Sequence, residues 1–224
     1  MEPAAVVKVP PMVSQHNLDQ WSRTLLEDEY SDVSQSQVRG EPGQPSGWEP
    51  LSKLSHLRPS RGPILDVGCG SGQSSADYFL DPNPRDDKNQ RVRRGWMESI
   101  PFPSRSLDRV VCWGTFCFLR SQTEALMEAN RVLTHGGSLI LDVVTFSTFA
   151  LCQTVEVESF CRHLVLHGFS VHGRVDFGQA YHQRTGILAV KDRDWDPSYF
   201  RALQATSEPR NYLESRDWPT WTVK

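Results

Sequence analysis

The run Ile64-Leu65-Asp66-Val67-Gly68-Cys69-Gly70-Ser71-Gly72 limits the folds open to this chain more than any other stretch. A buried strand, Pro63–Val67, passes through an acid and straight into three alternating glycines. With no side chains on the glycines, a ligand can approach the backbone at the carboxyl end of a sheet. Crevices of this kind hold nucleotide-like cofactors in open α/β sheets. Dinucleotide binding asks for G-x-G-x-x-G. Here the third glycine, Gly72, comes one residue early and Gln73 stands in the dinucleotide position. Taken alone, the segment also reads as a turn with no ligand.

The text beyond the turn alternates strand and helix. Arg109–Trp113 reads as a strand, Ser121–Leu133 as a helix, His135-Gly136-Gly137 as a turn and Ser138–Val144 as a strand apolar throughout. Val155–Leu166 is helical, Gly168 to about Phe177 extended, and Gln183–Lys191 a closing strand. Alternation of this kind predicts a mostly parallel sheet covered on both faces. The last two strands have no helix between them, so the closing one is antiparallel. Upstream, Leu18, Trp21, Leu25 and Leu26 share a helical face, a Pro/Gly-broken loop spans Gly40–Gly47, and Trp48, Leu51, Leu54 and Leu57 suggest a second short helix. Three parts result: residues 1–60 as a helical and loop cap, 61–191 as the core, and 192–224 as a tail with a short helix.

A chain of 224 residues supports one well-cored domain. A net charge of -3 without a basic block gives no footprint for nucleic acid. Arg91-Val92-Arg93-Arg94 reads as a solvated edge. Five cysteines, odd in number and without a CxxC, fit a reducing compartment and free core thiols. Pro10 and Pro11 end the N-terminal apolar run too early for a signal core or a membrane span, so the cytoplasm is expected. The expected partner is a small-molecule substrate rather than nucleic acid or membrane. No metal set emerges, since His163 and His167 are four apart but lack a third ligand.

Three further motifs follow the glycine turn in order. They are Gly95-Trp96-Met97-Glu98-Ser99-Ile100-Pro101-Phe102-Pro103, then Ser106-Leu107-Asp108-Arg109-Val110-Val111, then Asn130-Arg131-Val132-Leu133-Thr134-His135-Gly136-Gly137-Ser138-Leu139. With the turn, they resemble the class I S-adenosylmethionine-dependent methyltransferase family, its type 11 small-molecule branch, closely over residues 62–145. The resemblance implies a Rossmann-like three-layer α/β sandwich, S-adenosyl-L-methionine as cofactor, and methyl transfer to a small acceptor. It places Asp66, Gly68 and Gly70, with Cys69 and Gly72 of the same turn, at the methionine part. Met97, backed by Glu98, falls at the adenine, and Cys112 and Trp113 beneath the cofactor near the reacting methyl. The family builds its acceptor pocket from regions that here hold Trp21 and Tyr30, then Trp113, Phe116 and Phe118, then Thr145, Phe146 and Phe149. No general base is named; His16, Tyr181 and His182 are uncommitted.

Two departures stand out. Trp96 replaces an acid that many relatives aim at the adenine amino group, and an indole accepts no hydrogen bond. Tyr78-Phe79-Leu80-Asp81-Pro82-Asn83-Pro84 resembles the family's second-strand ending, whose acid holds the ribose hydroxyls. Yet only ten residues separate Val67 from Tyr78, and a parallel crossover needs about a dozen. Either Asp81 is the ribose acid on a compressed strand after a helix of barely two turns, or Gln73–Leu80 is the helix and the second strand is missing. In both cases the sheet is shortened around the second strand and its helix. The N-terminal helix, the tail or the second subunit of a homodimer would cover the exposed edge. A catalytically degenerate binding or scaffold protein and a nicotinamide oxidoreductase are the competing functions.

Overall fold

The computed structural model describes residues 48–70, 74–82, 84, 92–147, 153–179, 182–197 and 220–222. Helix α1 (Trp48–Leu57) precedes strands β1 (Ile64–Val67), β2 (Tyr78–Asp81), β3 (Val92–Arg94) and β4 (Leu107–Cys112). A 3₁₀ turn (Phe116–Phe118), α2 (Gln122–Val132), β5 (Leu133–Ser147), α3 (Val157–Leu166), β6 (Phe169–Gln179), β7 (His182–Lys191) and β8 (Thr220–Thr222) follow. They build one eight-stranded sheet in the order β3-β2-β1-β4-β5-β7-β6-β8. All neighbouring pairs are parallel except those of β7, which runs antiparallel to both β5 and β6. The mostly parallel sheet with β7 antiparallel is therefore as the sequence predicts, while β8, parallel to β6, is a further strand in the tail that the sequence reading did not expect.

The pleat sorts side chains to two faces. Leu65, Val67, Val110, Cys112, Leu139, Leu141 and Val143 join α2 and α3 in the main core, while Val111 and Ile140 meet Leu51 and Leu54 of α1 in a smaller one. Asp81 lies on β2, hydrogen-bonded in parallel between β1 and β3, so the reading without a second strand is wrong. The expected two-turn helix is also wrong: among the described residues from Val67 to Tyr78 there is none. Arg93 and Arg94 are exposed on the edge strand β3, which sequence reasoning left as an edge without pairing. With no crossover helix, α1 alone packs on the smaller core among the described residues. A cleft of about 580 Å³ opens beside it, lined by Leu51, Ser55, Ile64, Ser75, Ala76 and Val111.

The turn at His135-Gly136-Gly137 is absorbed into β5, which starts at Leu133 and shifts register between Leu107 and Arg109 of β4. Helix α2 is tied down at both ends. Ser121 Oγ accepts from the Glu124 N–H at the N-cap. In a capping box, Glu124 would accept from the Ser121 N–H; here the carboxylate of Glu98 takes that bond instead, at 3.3 Å, and also the Arg120 N–H at 2.9 Å. At the other end, the buried Lys191 ammonium donates to the carbonyls of Asn130 and Leu133 at 2.7 and 2.9 Å. It thereby satisfies carbonyls that a helix C-terminus leaves orphaned. Arg131 joins the loop before β4, donating to the Ile100 and Phe102 carbonyls while paired with Glu128. Much of the Asn130-Arg131 motif is thus accounted for by packing.

Candidate functional site

The glycine turn leaves the carboxyl end of β1 and is stitched to the end of β2. The Gly68 N–H donates to the Leu80 carbonyl at 2.7 Å, and the Gly70 N–H to the Asp81 carboxylate at 2.8 Å. Two buried acids, Asp66 and Asp81, therefore flank the turn. Asp66 accepts from the Ser74 hydroxyl at 2.6 Å. Burial pushes its carboxyl up to about 6; the Ser74 bond opposes this and the Asp81 charge adds to it. Cys69 is held as a neutral thiol, pushed up to about 12 by burial and then by the Asp66 and Asp81 charges.

The two described glycines differ in what they permit. Both have positive φ, +72° at Gly68 and +58° at Gly70. A Cβ on Gly68 would lie within 2.7 Å of Thr115 Cβ, so that glycine admits the loop after β4. Among the described residues, a Cβ on Gly70 would meet nothing within 4 Å. The space for a ligand at the backbone is at Gly70. Gly72, Trp21 and Tyr30 lie outside the described residues, as do His16, Phe149 and Tyr181.

The remaining candidates separate. Met97 and Trp96 are buried in the core, with the Arg94 guanidinium 5.7 Å from the Trp96 ring centre. Glu98 accepts from the Arg120 and Ser121 N–H groups at the entry to α2. Cys112 is fully buried, its Sγ 3.2 Å from Thr115 Oγ1. Phe116 is fully buried against Phe160 and turns no surface to solvent; Phe118 is half-buried and Phe146 exposed. Trp113 faces the α1 side, stacked on Phe177 with ring centres 5.3 Å apart. A Cβ on Gly186 would come within 2.6 Å of the indole, which explains a glycine in the middle of β7.

Sequence reasoning missed Asp142 and Arg184. The run Ser138–Val144 is not apolar throughout: Asp142 is completely buried there, ion-paired with Arg184 of β7. Its other oxygen accepts from the Gly114 N–H at 2.6 Å. Burial raises the Asp142 carboxyl, and Arg184 is the first of the groups that oppose it. An acid within an apolar run was the available signal. His182 Nδ1 lies 3.0 Å from Ser147 Oγ, and burial together with Arg184 lowers the imidazole to about 4.

An open sheet of this order, with a glycine turn and two acids at the carboxyl ends of its first two strands, defines a Rossmann-like nucleotide-cofactor fold. Residues 65–141 match the family described as a methyltransferase domain. The chain is 25% identical over 172 residues to an uncharacterized methyltransferase, YodH, of Bacillus subtilis, covering 67% of this chain and 73% of the relative. A Thermotoga maritima structure described as an S-adenosylmethionine-dependent methyltransferase, possible histamine N-methyltransferase, superposes with a TM-score of 0.57 at 18% identity. It covers 77% of this chain and 99% of its own. Magnesium protoporphyrin IX methyltransferase from Synechocystis, solved with S-adenosylhomocysteine, superposes with a TM-score of 0.54 at 12% identity, covering 75% and 99%. Over residues 65–141 the chain is thus similar to methyltransferase domains, and its fold is the one these methyltransferase structures share. No helix among the described residues is long and apolar enough to cross a membrane.

Proposed function

We propose that this chain binds S-adenosyl-L-methionine at the glycine turn and transfers its methyl group to a small-molecule acceptor. The observation that carries the reading is the pair of buried acids around an open Gly70. Asp66 is a carboxylate whose burial and acidic neighbour make it costly to ionise, and a cationic ligand group would relieve that cost. The cofactor's ammonium suits Asp66, and its ribose hydroxyls suit Asp81, which already accepts from the turn. When bound, the cofactor supplies an electrophilic methyl on a sulfonium. The chain's own part is to hold the reacting ends in line and keep water out.

The acceptor end falls beyond β4 and β5, where Trp113, Phe177 and the exposed Phe146 offer apolar surface to a flat or apolar molecule. Four cysteines of the chain, Cys69, Cys112, Cys117 and Cys161, are free thiols, which supports a reducing compartment such as the cytoplasm. The matching family segment and the intact acid pair favour this reading over a degenerate scaffold.

Its test is the pH dependence of cofactor binding. Above about pH 6 Asp66 is ionised before the ligand arrives; below that value binding must expel a proton. Affinity for S-adenosylmethionine is therefore expected to weaken by up to about tenfold per pH step below 6 and to level off between 6.5 and 7.5. Asp66→Asn should bind more weakly and flatten the profile. A wild-type profile that is flat from pH 5 to 7 overturns the role given to Asp66.

A further inference from the structure

A line of contacts runs from β7 to the glycine turn through residues that no cofactor at Gly70 need touch. Arg184 on β7 pairs with Asp142 on β5. Asp142 accepts from the Gly114 N–H at 2.6 Å, and Gly114 sits at φ +83°, a left-handed conformation that glycine adopts without strain. Next in the chain, Thr115 directs its hydroxyl to the Val67 carbonyl at 3.4 Å and lies 3.2 Å from Cys112 Sγ. Its Cβ and methyl occupy the space where a side chain on Gly68 would be. Asp142 is wholly buried and the Arg184 side chain nearly so. Burying an ion pair is costly, and hydrophobic residues of similar volume often serve as well for stability. The geometry therefore points to a task beyond stability.

We infer that Asp142 and Arg184 are positioning residues for the cofactor site, acting through Gly114 and Thr115 to set the glycine turn. This rests on the reading that the turn binds S-adenosylmethionine. Asp142 holds the backbone of the loop after β4, that loop puts Thr115 on Gly68, and Gly68 sets where Gly70 and its open space lie. Arg184 neutralises Asp142, so the carboxylate can stay ionised and accept strongly from Gly114.

The test is calorimetric titration of the full chain with S-adenosylhomocysteine, using paired substitutions so that no lone buried charge is left. In Asp142→Asn/Arg184→Met the amide oxygen still accepts from Gly114, and affinity should stay within about twofold of wild type. In Asp142→Leu/Arg184→Met that bond is gone, and affinity should fall about tenfold, the scale of one charge-assisted hydrogen bond. Thr115→Ala alone should weaken binding about fivefold at an unchanged melting temperature. In that background the leucine pair should lose less than about twofold more, since the line is already cut. Wild-type affinity in the leucine pair, equal losses in the asparagine and leucine pairs, or a full tenfold loss on top of Thr115→Ala each overturns the inference. If the leucine pair does not fold, Thr115→Ala decides: no loss of affinity overturns it. A wild-type chain that binds no S-adenosylhomocysteine defeats the functional reading along with this one, whereas binding with unchanged variants defeats this one alone.

Discussion

Gly68→Ala is expected to lower stability by about 3 kcal/mol, while Gly70→Ala costs about 1 kcal/mol. Both substitutions pay for a left-handed backbone, roughly 1–2 kcal/mol for a residue with a Cβ. Only at Gly68 does the new Cβ also run into Thr115, within 2.5 Å of its Cγ2. Overpacking adds about 1–3 kcal/mol. For a chain of this size the Gly68 variant should melt about 6–12 °C lower than wild type. Adding Thr115→Gly should recover about 1 kcal/mol, because the collision is relieved and the backbone cost remains. Ligand affinity should show the reverse order: Gly70→Ala folds well yet binds poorly, since its methyl enters the open space. Equal melting temperatures for the two alanine variants would show that Thr115 does not rest on Gly68.

A second large effect is expected at Lys191. Its ammonium is completely buried and donates to two carbonyls at the end of α2, with Asp194 2.8 Å away. Lys191→Met keeps the apolar stem and removes all three donors. Two buried carbonyls then lose their partner, at about 1–3 kcal/mol each, so a loss of about 3 kcal/mol is expected from denaturant unfolding. Asp194→Asn is the control. Its side chain is half-exposed, and an Asn there keeps an oxygen for the ammonium while removing the charge, so its loss should be smaller than that of Lys191→Met. A Lys191→Met chain within about 1 kcal/mol of wild type would mean that water replaces the ammonium at those carbonyls.

The parts of the fold that were legible are those written in local pattern. β1 and the apolar stretches of β4 (Val110–Cys112) and β7 (Ile187–Val190) stand out in the sequence, α2 carries its N-cap Ser121 in the text, and the missing helix between β6 and β7 foretold the antiparallel strand. The segment from Gly72 to Arg94 was legible only as two alternatives, a compressed strand ending at Asp81 or a helix over Gln73–Leu80, because a short polar stretch does not decide between them. Phe79 and Leu80 supply the buried part of β2, but only pairing with β1 and β3 makes them a strand. Nor could local pattern show that His135-Gly136-Gly137 continues into β5, since the irregular register there is set by β4.

At the site, the acids and the glycines could be read, and their partners could not. Asp66 and Asp81 follow from strand endings. Ser74 reaches Asp66 and Thr115 reaches the turn only through tertiary packing, as Arg184 reaches Asp142. Glu98 and Phe116 show how much the fold itself asks of a motif residue. Each stands in a motif, but Glu98 serves the entry to α2 and Phe116 fills the core. A motif residue can owe its place to the fold, as the bonds of Glu98 to the entry of α2 show.

If Gly70 and the acids beside it hold S-adenosylmethionine, titration calorimetry of the full chain at pH 7.5 should give saturable one-to-one binding of S-adenosylmethionine and of S-adenosylhomocysteine, weakened at least tenfold by Asp81→Ala and by Gly70→Ala with the fold retained. No binding heat up to millimolar ligand, or affinity unchanged in both variants, would contradict it.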